Sequence, residues 1–304
     1  MIFNIAKQGI VATFLGLFAI SAAQGQIYVA NGSDYVAEYA PSGTAINTSL
    51  IHGPMGEEGM AISGTDLFIV NSADNGVSEY NATTGAVIKA SFITGLSGVT
   101  GLVISGSDLY VASSSLVGVY NAITGTAINA SLASPFYVSA IAVSGNDLFA
   151  VHENSAVLSE YNATTGATIN SSFIAGVGSG YEPNVDPLLI AGNDLYIANY
   201  SSGTVSEYNA TTGALLHASF ISGLSDPADL AIYGNILYVT GSTEIGEYNA
   251  TTGATIKANF LPGTPFEVIV VVPEPSNHIL LGMGFFVLLA GWKRSRRFSK
   301  TARS

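Results

Sequence analysis

Cysteine is absent from the 304-residue chain, which excludes a disulfide framework, thiolate metal sites and thiol catalysis. Histidine is scarce as well: His52, His152, His217 and His278 leave few ligands for a transition metal. Cations are almost confined to the ends, since Lys7 lies in segment 1–25 and Lys293, Arg294, Arg296, Arg297, Lys300 and Arg303 in the tail. The body from 26 to 272 keeps only Lys89 and Lys257 against 20 acidic residues, a formal charge of −18. Such a body is repelled by a phosphate backbone, so nucleic acid is excluded as a partner. There is no Gly-rich phosphate loop, no G-x-S-x-G nucleophile elbow and no His-x-x-x-His pair. What the chain has in quantity is apolar residues at 48% and 34 glycines, enough for a large core divided by many turns.

The two ends carry addresses rather than fold. Lys7, the apolar stretch from Ile10 to Ile20 and the small residues Ser21-Ala22-Ala23-Gln24-Gly25 follow the order of a signal peptide, predicted over 1–25. At the other end, 273–304 runs Pro273-Glu274-Pro275, an apolar stretch at 279–292 and the basic Lys293-Arg294-Ser295-Arg296-Arg297. Fourteen helical residues reach about 21 Å, short of a bilayer core of about 30 Å, which suits a segment held in a membrane only transiently. The positive-inside rule keeps the basic cluster cytoplasmic. This ending resembles the PEP-CTERM sorting signal of Gram-negative bacteria. The resemblance implies processing near Pro273, Glu274 and Pro275 by an exosortase-like membrane protease, and delivery to the cell envelope or extracellular polymer matrix.

Between the ends, one phrase recurs. Glu-Tyr-Asn-Ala-Thr-Thr-Gly-Ala and its variants place tyrosines at 39, 80, 120, 161, 208 and 248, at intervals of 41, 40, 41, 47 and 40. Such a period signals a repeat architecture. Gly-Asn-Asp-Leu-Tyr or a near copy precedes the phrase, at Gly64, Gly106, Gly145, Gly192 and Gly234, and Ala-Ser-Phe-Ile or a near copy follows it. The fifth unit divides into four short apolar segments, 187–191, 195–199, 204–208 and 214–221, separated by Gly, Asn, Ser and Thr turn chemistry. Four strands in about 40 residues is the size of a propeller blade, and no 3.6-residue period competes. Leu195-Tyr196-Ile197-Ala198-Asn199, Gly203-Thr204-Val205-Ser206 and Thr211-Thr212-Gly213 resemble the YVTN and NHL-like propeller repeats of extracellular bacterial proteins, which imply a blade and no particular chemistry.

The phase of the repeat predicts how the ring closes. The first unit starts at Gln26 with what matches a second strand, while Pro265 to Val271 overshoots the sixth unit with what matches a first strand. The expected fold is therefore all-β, a six-bladed β-propeller of four-stranded blades over 26–272. Its closure is circularly permuted, with the C-terminal strand completing blade one and leaving no long open edge.

Six internal copies allow shared residues to be separated from variable ones. Asp66, Asp108, Asp147 and Asp194 recur at a hairpin, where the sixth copy has Ile236, and read as turn residues. Glu38, Glu79, Glu160, Glu207 and Glu247 recur in the third strand, with Val119 in the third copy, and read as blade-edge hydrogen-bonding groups. Asn81, Asn162, Asn209 and Asn249 head Asn-Ala-Thr sequons but suit a turn better. Variable loops gather on one face, and Glu57, Glu58, Asp74, Asp186, Asp226 and Asp229 there form the candidate site, a weak calcium site of flexible carboxylates. No other cofactor is expected. The working reading is a non-catalytic binding or structural module whose partners, beyond the protease, are extracellular polysaccharide or a surface protein. The alternative is a secreted hydrolase or lactonase-like enzyme with a metal at the channel mouth.

Overall fold

The computed structural model describes residues 25–31, 35–53, 59–71, 74–113, 115–134, 138–152, 155–177, 187–262 and 265–271. Residues 1–24 of the signal-peptide segment and the whole sorting-signal segment lie outside them, as do Glu57, Glu58 and Asp186. Among the described residues no helix is long and apolar enough to cross a membrane.

Among the described residues, twenty-four strands form six antiparallel sheets of four. Blade 5 shows the plan: inner strand Leu188–Ala191, second strand Asp194–Asn199, third strand Thr204–Asn209 and outer strand Leu215–Ser222. These lie within one residue of the segments read from the sequence. Inner strands of successive blades touch one another in ring order, from the strand Pro265–Val271 through blades 2 to 6 and back.

Blade 1 is the composite one. Pro265–Val271 pairs antiparallel with Gln26–Asn31, setting Val268 opposite Val29 and Val271 opposite Gln26. That sheet continues through Tyr35–Tyr39 to Ala45–His52. The permuted closure expected from the repeat phase is therefore the closure observed.

The core is distributed rather than central, because each sheet has two apolar faces that need cover. Alternation in the second strands divides the work. In blade 2, Leu67 and Ile69 pack with Tyr28, Val36 and Ile51 of blade 1, while Phe68 and Val70 pack with Leu109, Val111 and Tyr120 of blade 3. Four further clusters cover the four remaining blade boundaries, so each boundary has its own core. Outer strands are buried only near their ends: Val87 to Ser91 are exposed, and Phe92 and Ile93 buried.

Two loop faces result. The hairpins after the inner strands and the Asn-Ala-Thr-Thr-Gly turns emerge on one, the turn face; the variable connections emerge on the other, the loop face.

Candidate functional site

The loop face does not gather its described carboxylates. Asp74 sits in an exposed turn of blade 2, where its Oδ2 accepts from Asn71 Nδ2 at 3.1 Å and its own N–H donates to Asn71 Oδ1 at 3.2 Å. Asp226 has φ +49 in the crossover from blade 5 to blade 6, and Asp229 opens the inner strand of blade 6, its Oδ1 accepting from the Leu230 N–H at 2.7 Å. Blades 2 and 6 are separated by blade 1. Among the described residues no three His, Cys, Asp or Glu side chains lie close enough together to hold a metal ion.

The constellation that the fold does build is a girdle of glutamates at the blade boundaries. Glu38, Glu79, Glu207 and Glu247 are all buried in their third strands, and Glu160 partly so. Each lies between an aromatic of the second strand and a polar residue of the outer strand; Glu79, for example, is flanked by Phe68 and Lys89. The outer-strand partner is Asn47, Lys89, Asn170, His217 or Lys257. Lys89 Nζ stands 3.7 Å from Glu79 Oε2, His217 Nδ1 stands 2.6 Å from Glu207 Oε2, and Gln26 Nε2 donates to Glu38. Burial pushes the Glu38, Glu79, Glu160 and Glu247 carboxyls above the usual range, with Lys89 opposing the shift at Glu79 and Lys257 at Glu247.

Blade-edge hydrogen bonding, the role expected from the sequence, is therefore replaced by burial between blades. Paired bulges are the cause: in blade 2 the register shifts between Val77 and Glu79 and again between Glu79 and Tyr80, which folds the outer strand over the carboxylate. A signal for the nitrogen-bearing partners was present in the sequence as a constant spacing of ten, Glu79 to Lys89, Glu207 to His217 and Glu247 to Lys257. The girdle has one glutamate at five of the six boundaries, and Asp66 near Glu79 and Asp147 near Glu160 add to the upward shift that burial causes. The girdle can neutralise a cation and respond to pH.

On the turn face the asparagines are structural, as the turn reading had it. Asn209 Oδ1 accepts from the backbone N–H groups of Thr211 and Thr212, at 3.0 and 2.9 Å, and from the Thr212 hydroxyl at 3.0 Å. Asn81, Asn121, Asn162 and Asn249 repeat the pattern. The hairpin aspartates are strand-opening residues, Asp194 standing opposite Asn209.

These turns are also where blades meet. Tyr110 Oη donates to the Ala163 carbonyl at 3.3 Å, linking blade 3 to blade 4, and Lys89 Nζ donates to the Ile123 carbonyl at 3.2 Å, linking blade 2 to blade 3. Gly166, with φ +71, lies so near the preceding blade that an added Cβ would stand 1.7 Å from the Leu132 carbonyl oxygen. The turn glycine thus serves close approach as well as backbone conformation.

Comparison with known proteins gives the family of this ring. The PQQ_2 family, described as outer membrane protein assembly factor BamB, matches residues 9–259. The chain belongs to that family. No curated protein matches. Among solved structures, a nidogen/laminin complex superposes with TM-score 0.63 at 10% identity, covering 83% of this chain and 100% of that one. The computationally designed Ika8 protein gives TM-score 0.50 at 18% identity, over 76% and 70%. At such identities both likenesses concern the fold alone.

Proposed function

We propose that the chain is an exported propeller of the cell envelope or extracellular matrix of a Gram-negative bacterium. It acts as a non-catalytic binding or structural module and is processed by an exosortase-type protease near Pro273-Glu274-Pro275. The observation that carries this reading is the position of the closing strand. Pro265–Val271 completes blade 1, so the 24 strands of the described residues all precede residue 272, and removal of the following segment leaves the six described sheets whole. A processing signal needs that separation between the part that folds and the part that is cut. The family's description names an assembly factor of the outer membrane, and a scaffold role in the envelope agrees with it.

Intact-mass measurement of the protein recovered from the surface or medium tests the reading. Residues after about Pro275 are expected to be missing. Recovery of a stable inner-membrane form still carrying Lys293 to Arg297 would overturn it in favour of a plain membrane anchor.

A further inference from the structure

The rim of the propeller differs from the rest of the body in charge and in exposed apolar surface. The six outer strands, Ala45–His52, Val87–Ile93, Ala127–Ala133, Thr168–Ala175, Leu215–Ser222 and Thr255–Pro262, contain no Asp or Glu. They carry both lysines of a body whose formal charge is −18. Each also exposes an aliphatic side chain at the same repeat position: Ile46, Ile88, Ile128, Ile169, Leu216 and Ile256.

Two blades go further. Blade 2 exposes Val87 and Ile88 side by side, at 58% and 45%, and blade 5 exposes Leu215 and Leu216, at 54% and 46%. At the first of these positions the other four blades have Ala45, Ala127, Thr168 and Thr255. Blades 2 and 5 stand three blades apart either way round the ring, on opposite sides of the molecule.

Two guards common on edge strands are withdrawn from these blades, as they are from blade 6. In blades 1, 3 and 4 an asparagine, Asn47, Asn129 or Asn170, caps the edge N–H two residues on, at 3.0 to 3.1 Å. Blades 2, 5 and 6 have Lys89, His217 and Lys257 there, and a lysine has no acceptor to offer; of these three only blades 2 and 5 also carry the paired aliphatics. An edge lysine normally repels a second strand. Lys89, however, is turned back, with Nζ bonded to the Ile123 carbonyl, 3.7 Å from Glu79 and 4.8 Å from the centre of the Phe92 ring. His217 is likewise held by Glu207 at 2.6 Å. Ile88 and Leu216 sit at the bulges and have no ladder partner in their own sheets.

We propose that copies of this chain associate rim to rim, through the outer strands of blades 2 and 5, into linear chains. Antiparallel approach of one copy's blade 2 to the next copy's blade 5 sets Val87 against Leu216 and Ile88 against Leu215. The acidic faces point away from the contact, so charge repulsion disfavours face-to-face stacking and leaves the rim as the surface where two copies meet. A head-to-tail contact between opposite sides of a molecule does not close on itself, which is why the product is a chain rather than a dimer. A single edge is small beside a stable protein interface, so association is weak and depends on concentration.

Sedimentation velocity and negative-stain microscopy of protein purified from cells expressing the full chain test this over a concentration series. The expected result is a mass that rises with concentration, and unbranched rows of rings. The double substitution Ile88→Lys with Leu216→Lys should return the protein to a monomer. The double substitution Ile128→Lys with Ile169→Lys, on intervening blades, should leave the rows intact. All four positions are exposed, and far-UV circular dichroism with thermal melting verifies that each variant folds; Val87→Thr with Leu215→Thr is a milder pair expected to weaken the rows. A protein that stays monomeric throughout the series overturns the proposal, as does equal disruption by the control pair.

Discussion

Tyr196 and Ala250 belong to neighbouring blades, and the buried hydroxyl of the first donates to the backbone carbonyl of the second at 2.8 Å. Tyr238 occupies the same repeat position one blade later, at the boundary between blades 6 and 1. There the facing turn, Ala40-Pro41-Ser42-Gly43, is one residue shorter than the others, and the buried Tyr238 hydroxyl reaches no carbonyl across the boundary but lies against the Glu247 carboxylate of its own blade. Burial raises the pKa of both phenols, with Glu207 adding at Tyr196 and Glu247 at Tyr238.

Tyr196→Phe therefore should cost about 1–3 kcal/mol, because it leaves the Ala250 carbonyl buried and unpaired. Tyr238→Phe removes a hydroxyl that bonds to nothing across the boundary and interacts only with Glu247 of its own blade, so it should cost less than Tyr196→Phe. Urea unfolding of the two variants beside the parent compares them directly, and equal losses would contradict the assignment.

The glutamate girdle sets the sign of the pH dependence. Glu38, Glu79, Glu160 and Glu247 have raised folded-state values, so the folded protein holds protons that the unfolded chain releases. Their contribution is fully present below the unfolded carboxyl range and is lost as pH rises through the raised folded values. The melting temperature should accordingly fall between about pH 4 and pH 7. Glu38→Gln with Glu160→Gln should flatten that slope. A melting temperature that rises over this window would show the girdle to be outweighed by other groups.

Turn glycines separate two costs that sequence alone conflates. Gly145 has φ +59 with open space where a Cβ would go, so Gly145→Ala should cost about 1–2 kcal/mol from backbone strain. Gly166 has φ +71 and the Leu132 carbonyl in the way, so Gly166→Ala should cost more, by displacing one blade against the next. Equilibrium unfolding of both variants gives the ordering.

At the boundary of blades 4 and 5, Phe149 lies 5.2 Å from Phe173 between ring centres and is fully buried. Phe149→Ala should lose about 3–5 kcal/mol. Ile169→Ala, on the exposed rim of the same blade, should change stability by less than about 0.5 kcal/mol. Chemical denaturation resolves a difference of that size.

Blade number, strand plan and closure were legible because six copies of one phrase fix a period, and a period fixes a repeated unit. The partial first copy at Gln26 and the surplus strand at Pro265 could be matched to each other by pattern alone. The burial of Glu79 was not legible, because an acidic residue in a half-apolar strand reads the same whether it faces water or a neighbouring blade. What decides is the bulge that carries Lys89 across it, and bulges leave no fixed mark in composition. Of the expected cation ligands, Asp74 bonds to Asn71 through local turn geometry that a residue count does not reveal, while Glu57, Glu58 and Asp186 lie outside the described residues.

The pairing of Pro265–Val271 with Gln26–Asn31 also orders events during synthesis. A chain made from its N-terminus exposes blades 2 to 6 one after another, each complete in itself, whereas blade 1 must wait with its inner edge open until the last strand has left the ribosome. Joining ends that are more than 230 residues apart is then the final step. A nascent chain stopped short of Pro265 would hold five finished sheets and an unclosed ring, so its first translated strand would be among the last to become protected from solvent exchange.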